Sequence, residues 1–184
     1  MNVDFSFTQQ LFSDKFFTLN IHQTEKSTTL LMSMLSPYLR TGNLSQTLII
    51  LKKDAPAVLQ TTCHNNLNLS FEHEVVDTEI GHLFEHLVID HLSRSFPYAQ
   101  YHQDSCFYVG LTEWDWHTDT RGTFHITLSV GKKERKRLHA AMRWAYEIIG
   151  KILSSERKLT ISASAGLSAL LPIINTEAVG TVSV

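Results

Sequence analysis

The chain has 184 residues, 43% of them hydrophobic and 18% charged, the proportions of a soluble globular protein long enough to bury one core without staples. A net charge of −2 excludes bulk attraction to nucleic acid or to acidic membranes. There is no run of about 20 apolar residues, and the N-terminus MNVDFSFTQQ has neither a basic n-region nor an apolar h-region, so a cytoplasmic protein with no membrane partner is expected.

In chain order, Lys15 to His22 alternates, with Phe17, Leu19 and Ile21 on one side, which predicts a half-buried strand. Thr24 is placed to cap a helix carrying Leu30, Leu31, Met34 and Leu35, ended by Pro37 and Gly42. Thr47 to Leu51 is a short apolar run closed by KKDAP and reads as a second strand. Asn66 to Val76 alternates as a third, with His73 on its apolar face. Only two cysteines occur, Cys63 and Cys106, without CxxC spacing, and both read as reduced thiols.

Asp77 to Ser95, DTEIGHLFEHLVIDHLSRS, predicts a helix buried nearly all round, with Asp77 as its N-cap. Gly81 in its first turn costs a helix about 1 kcal/mol relative to alanine, so another backbone or a ligand is expected to approach closely there. The helix carries His82, Glu85 and His86 in the spacing HxxEH. Residues at i, i+3 and i+4 share a helix face, so two imidazoles and a carboxylate point the same way. Buried together they need partners, and a zinc ion suits all three. This is the inverted form of HExxH, in which the histidines hold zinc and the glutamate between them is the general base of a hydrolase. A core helix whose histidines only hydrogen-bond is the competing reading.

Ser105 to Leu111 and Thr123 to Val130 predict two further strands, with His125 on the polar side of the second. Between them Thr112 to Gly122 carries Glu113, Trp114, Asp115, Trp116 and Asp119, which could clamp a cationic group through charge and cation–π contact, or form a solvated hairpin tip. A long helix follows from about Lys132 to Leu153, with Leu138, Ala141, Met142, Ala145, Ile148, Ile149 and Ile152 as its buried stripe. Projected backwards, the stripe puts Glu134 toward the core and Glu147 outside. The surrounding KKERKR reads as a solvated face. Lys158 to Ser164 alternates again. The expected order, β-α-β-β-α-β-β-α-β, makes residues 1–184 a single α+β domain with helices packed on a largely antiparallel sheet. A catalytic zinc needs three protein ligands, and Glu134 is the expected third, with His125, His73 and Glu147 behind it.

The stretch GHLFEHLVIDHL resembles the N-terminal domain of cyanophycin synthetase. The likeness continues more loosely through FYVGL, TFHITLSV and KERKRLHAAMRWAYEIIGKIL, covering roughly Val75 to Leu153. The resemblance implies a small pitrilysin-like metallopeptidase type of fold, zinc on His82 and His86, and Glu85 as base. The acidic residue near the start of the final helix would be Glu134, although Lys132 and Lys133 break the acidic pair of that family. It further implies a peptide or arginine-rich polymer as substrate, which the acidic and aromatic segment would suit. A non-catalytic polymer- or protein-binding module on the same fold is the alternative. S-ribosylhomocysteine lyase, another HxxEH zinc enzyme, adds a cysteine ligand to two histidines, but the one cysteine downstream of the motif, Cys106, lies in surroundings unlike that family's. Oligomeric state is left open.

Overall fold

A computed structural model describes residues 9–13, 15–63, 70–95 and 108–174. Five strands, β1 (Gln9–Ser13), β2 (Phe17–Gln23), β3 (Thr28–Met34), β4 (Gly110–Glu113) and β5 (Thr123–Leu128), form one antiparallel sheet in the order β1-β2-β3-β5-β4. Its inner face presents Phe17, Leu19, Leu30, Met32, Phe124, Ile126 and Leu128, all buried, while the alternate Thr18, Asn20, Thr29, Ser33 and Thr127 stay half-buried or exposed. Helices α1 (Thr47–Asp54), α2 (Phe71–Glu74), α3 (Ile80–Arg94) and α4 (Arg135–Ile174) complete an α+β domain around a single core.

The expected first helix is instead β3. Leu30, Leu31, Met34 and Leu35 fit a helical face, but so does alternation through Thr28, Leu30 and Met32, and the partners on either side decide. Leu19 and Met32 face each other across β2 and β3, and Leu30 faces Ile126 across β3 and β5. Thr24 closes the β2–β3 turn, its N–H donating to the Ser27 carbonyl at 2.8 Å, and caps no helix. The opposite correction applies to Thr47–Leu51, which is the body of α1. Five apolar residues are too few for periodicity to separate strand from helix. Burial of Thr47 and Leu51, one turn apart, fits a helix that ends at Ala55 before Pro56.

Asn66–Val76 was expected as a strand; residues 64–69 lie outside the described residues, and Phe71–Glu74 is the single turn α2. Cys106 also lies outside them, with 105 and 107 of the strand expected over 105–111, and β4 begins at Gly110. Lys158–Ser164 continues α4 rather than forming a strand. No proline or glycine separates it from Leu153, so a helix already nucleated and packed simply propagates. The predicted stripe of α4 is correct at every position, with Leu138, Ala141, Met142, Ala145, Ile148, Ile149 and Ile152 buried.

α3 keeps the predicted place, and Ile80, Leu83, Phe84, Leu87, Val88 and Leu92 are buried on it. Its N-cap position is Glu79, without a side-chain cap, and Asp77 has a different task. Asp77 Oδ1 accepts from Arg40 Nε at 2.9 Å, and Arg40 also pairs with Glu79. Beneath them the Thr41 N–H donates to the Thr78 carbonyl and the Thr78 N–H to Thr41 Oγ1, both at 2.8 Å, so the start of α3 is tied to residues 40–41. The close approach expected at Gly81 is a side chain: a Cβ there would stand 2.5 Å from Phe124 Cγ. Glycine lets α3 lie directly on β5.

Candidate metal centre

α3 presents His82 and His86 with ring centroids 4.8 Å apart toward α2 and the segment before it. A 3-10 turn, Pro56–Gln60, leads into that segment. The Phe71 N–H donates to the Thr61 carbonyl at 2.8 Å, and Thr62 and Ser70 form an isolated bridge. Cys63 follows directly and is buried. Its Sγ lies 3.5 Å from His82 Nε2, and ligand atoms of Cys63, His82 and His86 all fall within 4.8 Å of one another.

The outer nitrogens are held. Thr61 Oγ1 donates its proton to the Val58 carbonyl at 2.7 Å, so at 2.9 Å it can only accept from His86 Nδ1. That fixes the proton of His86 on Nδ1 and makes Nε2 the ring nitrogen that can offer a lone pair. His82 Nδ1 meets Thr78 Oγ1 at 2.8 Å, and Thr78 is the residue tied to Thr41. Metal-binding histidines characteristically have the second ring nitrogen engaged in this way. Phe71 stacks on His86 with centroids 3.8 Å apart and meets His82 edge-on at 5.6 Å, which orients both rings. Burial holds the His82 imidazole below its ordinary pKa, opposed by the charge of Glu74, and so favours the neutral form that a metal requires.

One sulfur and two imidazole nitrogens are donors that suit a divalent metal such as zinc, and one of their separations has the matching length. In a tetrahedral site with zinc–sulfur at about 2.3 Å and zinc–nitrogen at about 2.0 to 2.1 Å, a sulfur and a nitrogen ligand stand about 3.5 to 3.6 Å apart. The Cys63 to His82 separation is 3.5 Å. Without metal, the same pair shares a thiol–imidazole hydrogen bond.

Glu85 is buried and turns toward β4. Thr112 Oγ1 donates to its Oε2 at 2.5 Å, and its Oε1 stands 2.5 Å from where a Cβ on Gly110 would be. Burial pushes the Glu85 carboxyl up to about 7, with the Thr112 hydrogen bond pulling the other way.

The other expected ligands lie elsewhere. Glu134 sits in the 3-10 turn Lys132–Glu134 ahead of α4, half-buried, where its Oε1 accepts from Tyr108 at 2.5 Å and from Arg137 at 2.8 Å. Arg137 in turn donates to the Leu92 carbonyl at 3.0 Å, so Glu134 belongs to a clamp on the C-terminal turn of α3. It is not in the cluster that Cys63 forms with the histidines. His125 pairs with Asp119 at 2.9 Å; His73 is exposed rather than on an apolar face and meets Ser70; Glu147 is exposed on α4. Sequence reasoning passed over Cys63, which it read only as a reduced thiol; upstream of the motif it weighed His73 alone as a third ligand.

In the loop after β4, Asp115 is occupied by its own turn, accepting from the His117 N–H at 3.0 Å, and Asp119 by His125. Trp116 donates to the Thr123 carbonyl at 3.3 Å and is covered by Arg121, while Trp114 packs its edge on Phe124 and remains exposed beside Glu113. Through Phe124 and Gly81 this loop adjoins the first turn of α3. Among the described residues no helix is long and apolar enough to cross a membrane. Compared with known proteins, the chain matches no family model, no curated relative and no solved structure.

Proposed function

We propose that this chain is a zinc-dependent hydrolase of peptide or isopeptide bonds, of the pitrilysin-like HxxEH type, in which Cys63 takes the third ligand position beside His82 and His86. The observation that carries the reading is the convergence of Cys63, His82 and His86 within 4.8 Å, with one imidazole nitrogen of each histidine engaged by a threonine. Three protein ligands is the number found in catalytic zinc sites, against four in structural ones. Bound there, zinc would supply Lewis acidity toward a carbonyl and a lowered pKa for water. Glu85 acts as general base: as water attacks the carbonyl carbon, its proton passes to the Glu85 carboxylate, and the same proton goes to the departing nitrogen as the C–N bond breaks. Thr112 holds Oε2 meanwhile. Glu113 and Trp114, exposed after the other loop residues are occupied, are the groups that would meet a cationic side chain of a cyanophycin-like polymer. A reducing cytoplasm suits a thiolate ligand.

The test is the zinc content of protein purified without added metal, together with hydrolysis of arginine-rich acidic polymer. Near-stoichiometric zinc should be lost in Cys63→Ser and His86→Ala and kept in Glu134→Ala and Glu85→Gln, with turnover lost in Glu85→Gln. Zinc lost in Glu134→Ala but kept in Cys63→Ser would overturn the ligand set. Full zinc with no turnover of polymer or peptides would leave a metal-bearing binding module.

A further inference from the structure

The edge strand β4 touches α3 at one side chain that the motif alone does not account for. Gly110 and Thr112, two apart on β4, share one face of the strand, and both meet the Glu85 carboxylate. Thr112 Oγ1 donates to Oε2 at 2.5 Å. At Gly110 a Cβ would stand 2.5 Å from Oε1 and 2.7 Å from both Cδ and Cγ, so only a glycine leaves space for the carboxylate in this position. No lysine or arginine pairs with Glu85 among the described residues. Its orientation is therefore set by one hydroxyl and one missing side chain, both on a strand whose single neighbour among the described residues is β5.

We infer that Thr112 is the positioning residue for Glu85 and Gly110 the space that admits it, so that the edge strand β4 sets where the carboxylate of the general base is held. This rests on the hydrolase reading for its consequence, but not for its geometry. Thr112 holds Oε2 by its hydroxyl, and Oε1 lies over Gly110. Serine keeps the donor at position 112 and valine keeps only the shape. Alanine at position 110 pushes against the far end of a flexible side chain, so it displaces the carboxylate and leaves the strand in place.

The experiment is a crystal structure of the zinc-loaded protein, a zinc assay, and kcat and KM on arginine-rich acidic polymer, for wild type, Thr112→Ser, Thr112→Val and Gly110→Ala. Zinc should stay stoichiometric in all four. The carboxylate should hold one position in wild type and Thr112→Ser and leave β4 in Thr112→Val and Gly110→Ala, with kcat down about a hundredfold in those two, KM little changed, and serine restoring the rate. A Glu85 carboxylate that keeps its place in Thr112→Val would overturn the inference. If wild type binds zinc and seats Glu85 on Thr112 but turns over no polymer, the hydrolase reading fails while the positioning role stands on the crystallographic result.

Discussion

Cys63 Sγ lies 3.5 Å from His82 Nε2, although 19 residues of chain separate the two. The contact exists because the bridge between Thr62 and Ser70 and the hydrogen bond from Phe71 to Thr61 return the chain to the open face of α3. Zinc should then stabilise the fold as a whole. At free zinc about 100 times its Kd the gain is about 2.7 kcal/mol, read as a rise in Tm, and Cys63→Ser should abolish most of it. Equal rises in both proteins would take Cys63 out of the site.

Thr61 and Thr78 hold the outer nitrogens of the two histidines, so losing either hydroxyl should weaken zinc without removing a ligand. Thr61→Val and Thr78→Val should each raise the zinc Kd about 10- to 100-fold in a chelator competition. Thr61→Val should act on His86 alone. An unchanged Kd in both variants would mean that the threonines do not orient the rings.

Asp90 is buried on α3, one turn beyond His86, with Arg94 Nη2 2.5 Å from its Oδ2. Burial raises its pKa above the ordinary 3.8, and the Arg94 charge offsets this only in part. A carboxyl whose folded-state value is raised contributes stability below its unfolded value, and this is lost as pH rises through the folded one. Asp90→Asn should remove a fall in stability that begins near pH 3.8, whereas Arg94→Ala should steepen it. Urea titrations of the three proteins across that range would read the slopes. Parallel curves for wild type and Asp90→Asn would show that Asp90 is not desolvated.

Two glycines on helices should respond in opposite directions. Gly81→Ala drives a Cβ into the Phe124 ring and should cost about 1 to 3 kcal/mol, with Phe124→Leu relieving part of it. Gly150 has nothing within 4 Å of where its Cβ would be, so Gly150→Ala should stabilise α4 by about 0.4 to 1 kcal/mol. Thermal unfolding of the two variants separates the effects. A stabilising Gly81→Ala would contradict the contact between α3 and β5.

The long periodic segments were legible without coordinates. The fifteen residues of α3 and the buried stripe of α4 repeat their pattern over several turns, and the alternation of β2 and β5 holds over a whole strand, so local sequence alone separates helix from strand there. Thr28–Met34 and Thr47–Asp54 were not legible in this way, because a short apolar run fits both periods and the choice falls to its neighbours: β2 and β5 flank β3, and α4 supports α1 through the 2.8 Å pair of Lys151 with Asp54.

The same division runs through the site. HxxEH puts His82, Glu85 and His86 on one helix by spacing alone, since a helix converts i, i+3 and i+4 into neighbours. What stands opposite them depends on chain return, which no local pattern encodes. Tertiary structure brought Cys63 to the histidines, Thr61 and Thr78 to their outer nitrogens and Gly110 and Thr112 to Glu85, and it drew Glu134 into a clamp with Tyr108 and Arg137. The sequence by itself determined which helix carries His82, Glu85 and His86. Packing decided their partners, because the approach of Cys63 is a matter of distance in space and leaves no trace in the spacing of the motif.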